Sequence, residues 1–111
     1  MTYDNPVFQD YHIPGVSHIR ATDALDIVRN GLAFLVDVRE DEELALGKPM
    51  ITAGYYHCPL SRFMQAKEQL PEQGTLIFMC AHGIRSIQVA AWFRQQGRED
   101  VLNLDGGFAA V

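Results

Sequence analysis

The stretch Leu76-Ile77-Phe78-Met79-Cys80-Ala81-His82-Gly83-Ile84-Arg85-Ser86 constrains this chain more than any other. It opens with a continuous run of large apolar side chains, the pattern of a buried strand. The run stops at a cysteine, and a short loop with one glycine follows. Ile87 to Gly97 then has helical spacing, with Ser86 placed as its N-cap. Strand, tight loop and helix in that order turn successive backbone N–H groups inward to form an anion-binding nest. A cysteine at the mouth of such a nest has its thiolate stabilised by the amides, the positive helix end and Arg85. The stretch predicts a cysteine nucleophile, Cys80, in a cradle made of Ala81, His82, Gly83, Ile84, Arg85 and Ser86.

The rest of the chain alternates strand and helix signals. Residues 1–15 carry Pro6, Pro14, Gly15 and scattered aromatics without a period, and read as an arm over the surface of a domain spanning 16–111. Val16–Ile19 is a first short strand. Thr22 or Asp23 caps a helix whose apolar face holds Ala24, Leu25, Ile27 and Val28, with Gly31 at its exit. Ala33–Val38 is a continuous apolar run, as expected of a central parallel strand covered on both faces. It runs into Asp37-Val38-Arg39-Glu40 and an acidic helical turn, Asp41, Glu42 and Glu43. Tyr55–Cys58 is a short strand stopped by Pro59. Ser61 caps a helix reaching Leu70, with Phe63, Met64 and Leu70 inward. Thr75–Met79 and Val101–Leu104 are the last strands. This pattern predicts an α/β domain with a mostly parallel sheet, whose ligand crevice lies beyond the strands' carboxyl ends. The Asp37–Glu40 stretch and Cys80 both sit at such ends.

At 111 residues the chain is one domain with enough length for a core of its own. The net charge of −5 argues against a nonspecific nucleic-acid binder, which needs a basic face, but leaves room for a locally positive pocket. No apolar segment reaches membrane-spanning length, and Met1–Pro6 has none of the blocks of a signal peptide, so the expected location is the cytoplasm. Cys58 and Cys80 form no CxxC pair for zinc or dithiol chemistry, and in a reducing compartment they are expected to remain thiols. No metal or cofactor is implied.

Three landmarks in order and spacing resemble those of single-domain rhodaneses, a family of sulfurtransferases. They are Leu35-Val36-Asp37-Val38-Arg39-Glu40, then Cys80–Ser86, then Leu104-Asp105-Gly106-Gly107-Phe108. The resemblance runs from about His18 to the end. It implies a three-layer domain with a five-stranded, mostly parallel sheet flanked by helices. It also implies that Cys80 takes a sulfane sulfur from a donor such as thiosulfate and passes it, as a persulfide, to cyanide or a thiol. Asp37 and Arg39 match positions that support site and fold. Two stretches depart from the family pattern. Gly47–Gly54 replaces a Gly-His-Ile-Pro-Gly-Ala segment, and Phe108-Ala109-Ala110-Val111 stands where a tryptophan and a further helix are usual, which leaves that edge open to closure by another chain.

The residues also admit plainer roles. Cys80 alone could be an inert buried thiol, but the loop after it is too specific for that. Arg85 is either a clamp for an anionic donor or a brace paired with Asp37 or Glu40. Ser86 reads as the helix cap, Ala81 and Ile84 as entrance lining. His82 is a rim donor or an idle loop side chain. Arg39 is a support, Cys58 a core residue, and Gly83 permits a positive φ. The main rival function is a cysteine phosphatase or arsenate reductase. Their C-x5-R-S/T loop is one residue longer than Cys80-x4-Arg85-Ser86, and the shorter ring suits one sulfur better than a tetrahedral oxyanion. A second rival is a non-catalytic sulfur carrier that passes sulfur to, or binds, a protein partner.

Overall fold

Two central strands set the architecture. β3 (Ala33–Asp37) and β5 (Thr75–Met79) lie side by side in parallel, with Asp37 in register with Met79. In the computed structural model, which describes residues 1–111, they form the middle of a six-stranded sheet. The remaining strands are β1 (Thr2–Tyr3), β2 (Ser17–Ile19), β4 (Tyr55–His57) and β6 (Val101–Leu104). The order is β1-β2-β6-β5-β3-β4, and every pairing is parallel except β1 with β2. The mostly parallel α/β fold is as expected, but with six strands rather than five. The extra one comes from the arm. Thr2 and Tyr3 pair antiparallel with Ile19 and His18, which covers backbone groups that β2 would otherwise leave open at the sheet edge.

Side-chain alternation divides the core. Leu76 and Phe78 of β5 join Val36, Val38 and Ile87 in one cluster, while Ile77 and Met79 join Ala33, Leu35 and Ala24 in the other. The first cluster lies beneath α2 (Phe63–Ala66) and α3 (Ile84–Gln95), and the second beneath α1 (Ala21–Arg29). Cys80 continues the parity of Leu76 and Phe78, so it falls on the α3 face.

The helix starts depart from expectation in instructive ways. α1 begins after Arg20 rather than at Thr22 or Asp23, because Ala21 is needed with Ala24 and Val28 to complete the buried face. The single helix expected from Ser61 to Leu70 is instead two 3₁₀ turns around the four-residue α2. Ser61 does not cap it. Its hydroxyl donates to Glu40 Oε1 at 2.5 Å and its N–H to Glu40 Oε2 at 3.1 Å. Phe63 packs edge-on against Phe93 with centroids 6.0 Å apart. Met64, one residue and about 100° further round, therefore points outward and is 64% exposed, not inward as expected. The acidic turn Asp41–Leu46 is 3₁₀ and opens with a reciprocal capping pair, Glu40 and Glu43.

Candidate active site

β5 ends at Met79, and the next side chain, Cys80, turns under the first turn of α3 with only 1% of the residue exposed. Its Sγ accepts the N–H of Gly83 at 3.1 Å and that of Ser86 at 3.4 Å. The first amides of a helix have no partner inside it. Here the sulfur supplies one, so Cys80 itself does the capping that the sequence assigned to Ser86. The helix accordingly starts at Ile84 rather than Ile87, after Gly83 at φ +89°. Ser86 is buried in its first turn, and its hydroxyl donates to Asn103 Oδ1 of β6 at 2.6 Å.

The loop's orientation is set from behind. The carbonyl of Cys80 accepts from the N–H of Phe108 at 2.7 Å, and that of Ala81 from the N–H of Ala109 at 3.0 Å. In a trans peptide C=O and N–H point in opposite directions, so fastening both carbonyls to the C-terminal 3₁₀ turn (Gly107–Ala110) aims the amides of Ala81 and His82 away from that turn. Gly107, at φ +68°, touches this back wall: a Cβ there would sit 2.5 Å from the Cys80 carbonyl oxygen and 2.6 Å from the His82 nitrogen. In the sequence this Gly-Gly pair stood out only as part of a family landmark; its contact with the loop is visible only in three dimensions.

Burial pushes the Cys80 thiol up. The backbone amides of Ser86, His82 and Gly83 outweigh it, and the net shift is downward. A thiol so surrounded gives up its proton more readily than a free one and becomes the nucleophilic form. Cys58 is the contrast. It too is a free, buried thiol, but burial dominates there and pushes it up, in keeping with the core position expected of it.

Arg85 is paired with a carboxylate, and that carboxylate is Glu43 rather than Asp37 or Glu40. It forms a two-pronged pair with Glu43, Nη1 to Oε1 and Nη2 to Oε2 both at 2.7 Å. The pairing holds the Glu43 carboxyl down at about 2 and raises the guanidinium. Glu43 read in the sequence as one more residue of an acidic turn. Asp37 instead holds Arg39: Nη2 lies 2.9 Å from Oδ2 and Nε 3.0 Å from Oδ1, with both residues essentially buried. Tyr55 donates a further bond to Asp37 Oδ2 at 2.6 Å. Arg39 also reaches the carbonyls of Glu43 and Gly47, and its guanidinium lies 4.3 Å from the centre of the Phe108 ring. The buried pair thus links β3 to the segment carrying Glu43 and to the turn behind Cys80.

At the rim, His82 and Ile84 are exposed and Ala81 is half-buried. An apolar hollow of about 270 Å³ opens beside Arg85, lined by Leu60, Phe63, Val89 and Trp92 among others. No group of His, Cys, Asp or Glu side chains is arranged to hold a metal. No helix is long and apolar enough to cross a membrane.

Residues 20–111 match the family model of the rhodanese-like domain. The chain is 33% identical over 85 residues to the thiosulfate sulfurtransferase GlpE of Haemophilus influenzae, covering 77% of each. Among solved structures, reduced CoADR-RHD of Bacillus anthracis superposes with a TM-score of 0.73 at 31% identity, over 85% of this chain and 16% of that one. A rhodanese-related protein of Thermoplasma volcanium gives 0.67 at 27% identity, over 81% of this chain and 84% of that one.

Proposed function

Since the chain belongs to the rhodanese-like domain family of sulfurtransferases, we propose that it transfers a sulfane sulfur from thiosulfate or a similar donor to a thiophilic acceptor through a persulfide on Cys80. The observation that carries this reading is the Cys80 sulfur held by the amides of Gly83 and Ser86 inside a loop whose carbonyls are tied off behind it. In the first step the Cys80 thiolate attacks the outer sulfur of thiosulfate. A Cys–S bond forms, the S–S bond of the donor breaks, and sulfite leaves with the electron pair. The terminal sulfur of the persulfide then carries the negative charge, and inward amides of Ala81–Ser86 solvate it without a general base. In the second step cyanide or a thiolate attacks that sulfur and the Cys80 thiolate departs. No net oxidation state of the protein changes over the cycle.

Arg85 serves the site by holding α3 and the Glu43 segment together, and its one-third exposed guanidinium adds positive potential at the mouth. His82 at the rim is placed to meet an anionic donor. The hollow between α2 and α3 leaves room for an acceptor bulkier than cyanide, a thiol with an apolar body or a segment of a protein acceptor. The persulfide cycle needs Cys80 reduced, which fits a cytoplasmic setting.

The test is thiocyanate formation from thiosulfate and cyanide by wild type and Cys80→Ser, with mass spectrometry of the intact protein after donor treatment. Turnover that is lost in Cys80→Ser, with one added sulfur on wild type alone, supports the reading. Sulfur loading without turnover points to a carrier that serves a protein acceptor. Hydrolysis of an aryl phosphate that depends on Cys80, with no sulfur loading, overturns it.

A further inference from the structure

The cradle loop has three carbonyls tied off on its outer side, and only two are held by the C-terminal turn. The third, that of Gly83, accepts from Gln9 Nε2 at 3.1 Å. Gln9 belongs to the N-terminal arm, ahead of residue 20 where the family match begins. Its side chain uses every polar atom. Nε2 also donates to the carbonyl of Tyr11 at 2.9 Å, and Oε1 accepts from the N–H of Gly106 at 2.8 Å and from Asn103 Nδ2 at 3.1 Å. It lies so close to Gly83 that a Cβ on that residue would collide with Oε1.

The arm is held on either side of this residue. Asp105 accepts from the Tyr3 hydroxyl at 2.7 Å, the Val7 N–H at 2.7 Å and the Phe8 N–H at 3.1 Å. Beyond Gln9, His12 Nδ1 lies 2.9 Å from His18 Nε2. An amide side chain placed this firmly orients what it touches. By holding the Gly83 carbonyl on the arm side, it turns the Ile84 N–H of the same trans peptide the opposite way. Through Asn103, fully buried, it also fixes the acceptor of the Ser86 hydroxyl.

We propose that Gln9 is a positioning residue for the Cys80 loop: an arm side chain that holds the Gly83 peptide and Asn103 so that the amides of Gly83 and Ser86 stay on the sulfur. The role in turnover rests on the sulfur-transfer reading above; the role in loop geometry does not. Gln9 touches neither the sulfur nor the mouth of the loop, so it acts on the reactivity of Cys80 and leaves donor binding alone.

The experiment compares wild type, Gln9→Met and Tyr3→Phe. Methionine keeps the length of glutamine and loses all four hydrogen bonds. Phenylalanine removes an arm bond to Asp105 that makes no contact with the loop. The measurements are the pH midpoint of Cys80 alkylation by iodoacetamide, made on a Cys58→Ala background to isolate one thiol, and kcat and KM for thiosulfate. Loosening one amide that serves a thiolate raises the midpoint by roughly one unit and lowers kcat about tenfold, and KM stays as it was. Tyr3→Phe leaves all three at wild-type values. If Gln9→Met fails to fold, Gln9→Asn, one methylene too short to span Gly83 and Gly106, gives the same readout. A wild-type midpoint and kcat in the Gln9 variant, or equal changes in Tyr3→Phe, overturn the proposal. Alkylation requires no sulfur transfer. A wild type that moves no sulfur therefore sinks the functional reading, while the midpoint still decides the role of Gln9.

Discussion

Gly107→Ala is the sharpest probe of how the loop is built. The residue sits at φ +68°, where an alanine costs about 1–2 kcal/mol in backbone strain alone. The added Cβ would also meet backbone, 2.5 Å from the Cys80 carbonyl oxygen and 2.6 Å from the His82 nitrogen, so the turn and the loop must separate. Separation lengthens the Phe108 and Ala109 bonds to the Cys80 and Ala81 carbonyls. At about 0.5–1.5 kcal/mol each, their loss brings the total to about 3 kcal/mol, a large part of the ~5–15 kcal/mol that holds a domain folded. Gly31→Ala is the matched control, at φ +75° with nothing within 4 Å of the added carbon, and it should show the strain part only. Urea unfolding followed by the fluorescence of Trp92, the single tryptophan, measures the difference between the two. Iodoacetamide alkylation of the folded proteins reads the site, where Gly107→Ala should react about tenfold more slowly at neutral pH. If Gly107→Ala loses no more stability than Gly31→Ala and keeps wild-type thiol reactivity, the loop is not oriented from behind and the argument fails.

Two further substitutions test the supports. Glu43 has its carboxyl lowered by Arg85 from 4.5 to about 2, so the stability it contributes is present above about 4.5 and is lost as pH falls toward 2. Glu43→Gln should flatten the dependence of Tm on pH across that window and cost about 1 kcal/mol at neutral pH, solvent screening of this part-exposed pair allowed for. An unchanged acid limb in the variant would refute the assignment. Asp37→Ala leaves the Arg39 guanidinium buried without its carboxylate, which should cost about 3–5 kcal/mol by urea denaturation. A loss under about 1 kcal/mol would mean that the pair is not a structural tie.

Much of the scaffold was legible because its signals are local. The apolar runs at Ala33–Val38 and Leu76–Met79 read as buried strands, and the alternation of strands with helices implied the parallel sheet. The Cys80 loop was readable because strand, glycine and helix lie within a few residues of one another, and backbone geometry there follows from short-range sterics. Reading by residue type misled where a polar side chain had a distant claim on it. Ser86 and Ser61 look like helix caps, but Asn103 and Glu40 take their hydroxyls, and Cys80 itself receives the helix amides.

What the amino-acid sequence alone determined, then, is the layered α/β framework and the placing of a cysteine at the end of a central strand, ahead of a helix start. Tertiary structure alone decided what surrounds that cysteine. It paired Arg85 with Glu43, set Gly107 against the loop, made the arm a sixth strand and brought Gln9 to Gly83. The reason is physical. Periodicity and turn chemistry are written in neighbouring residues, whereas a hydrogen bond between residues 74 positions apart is made of a glutamine and a glycine that look ordinary until the fold brings them together.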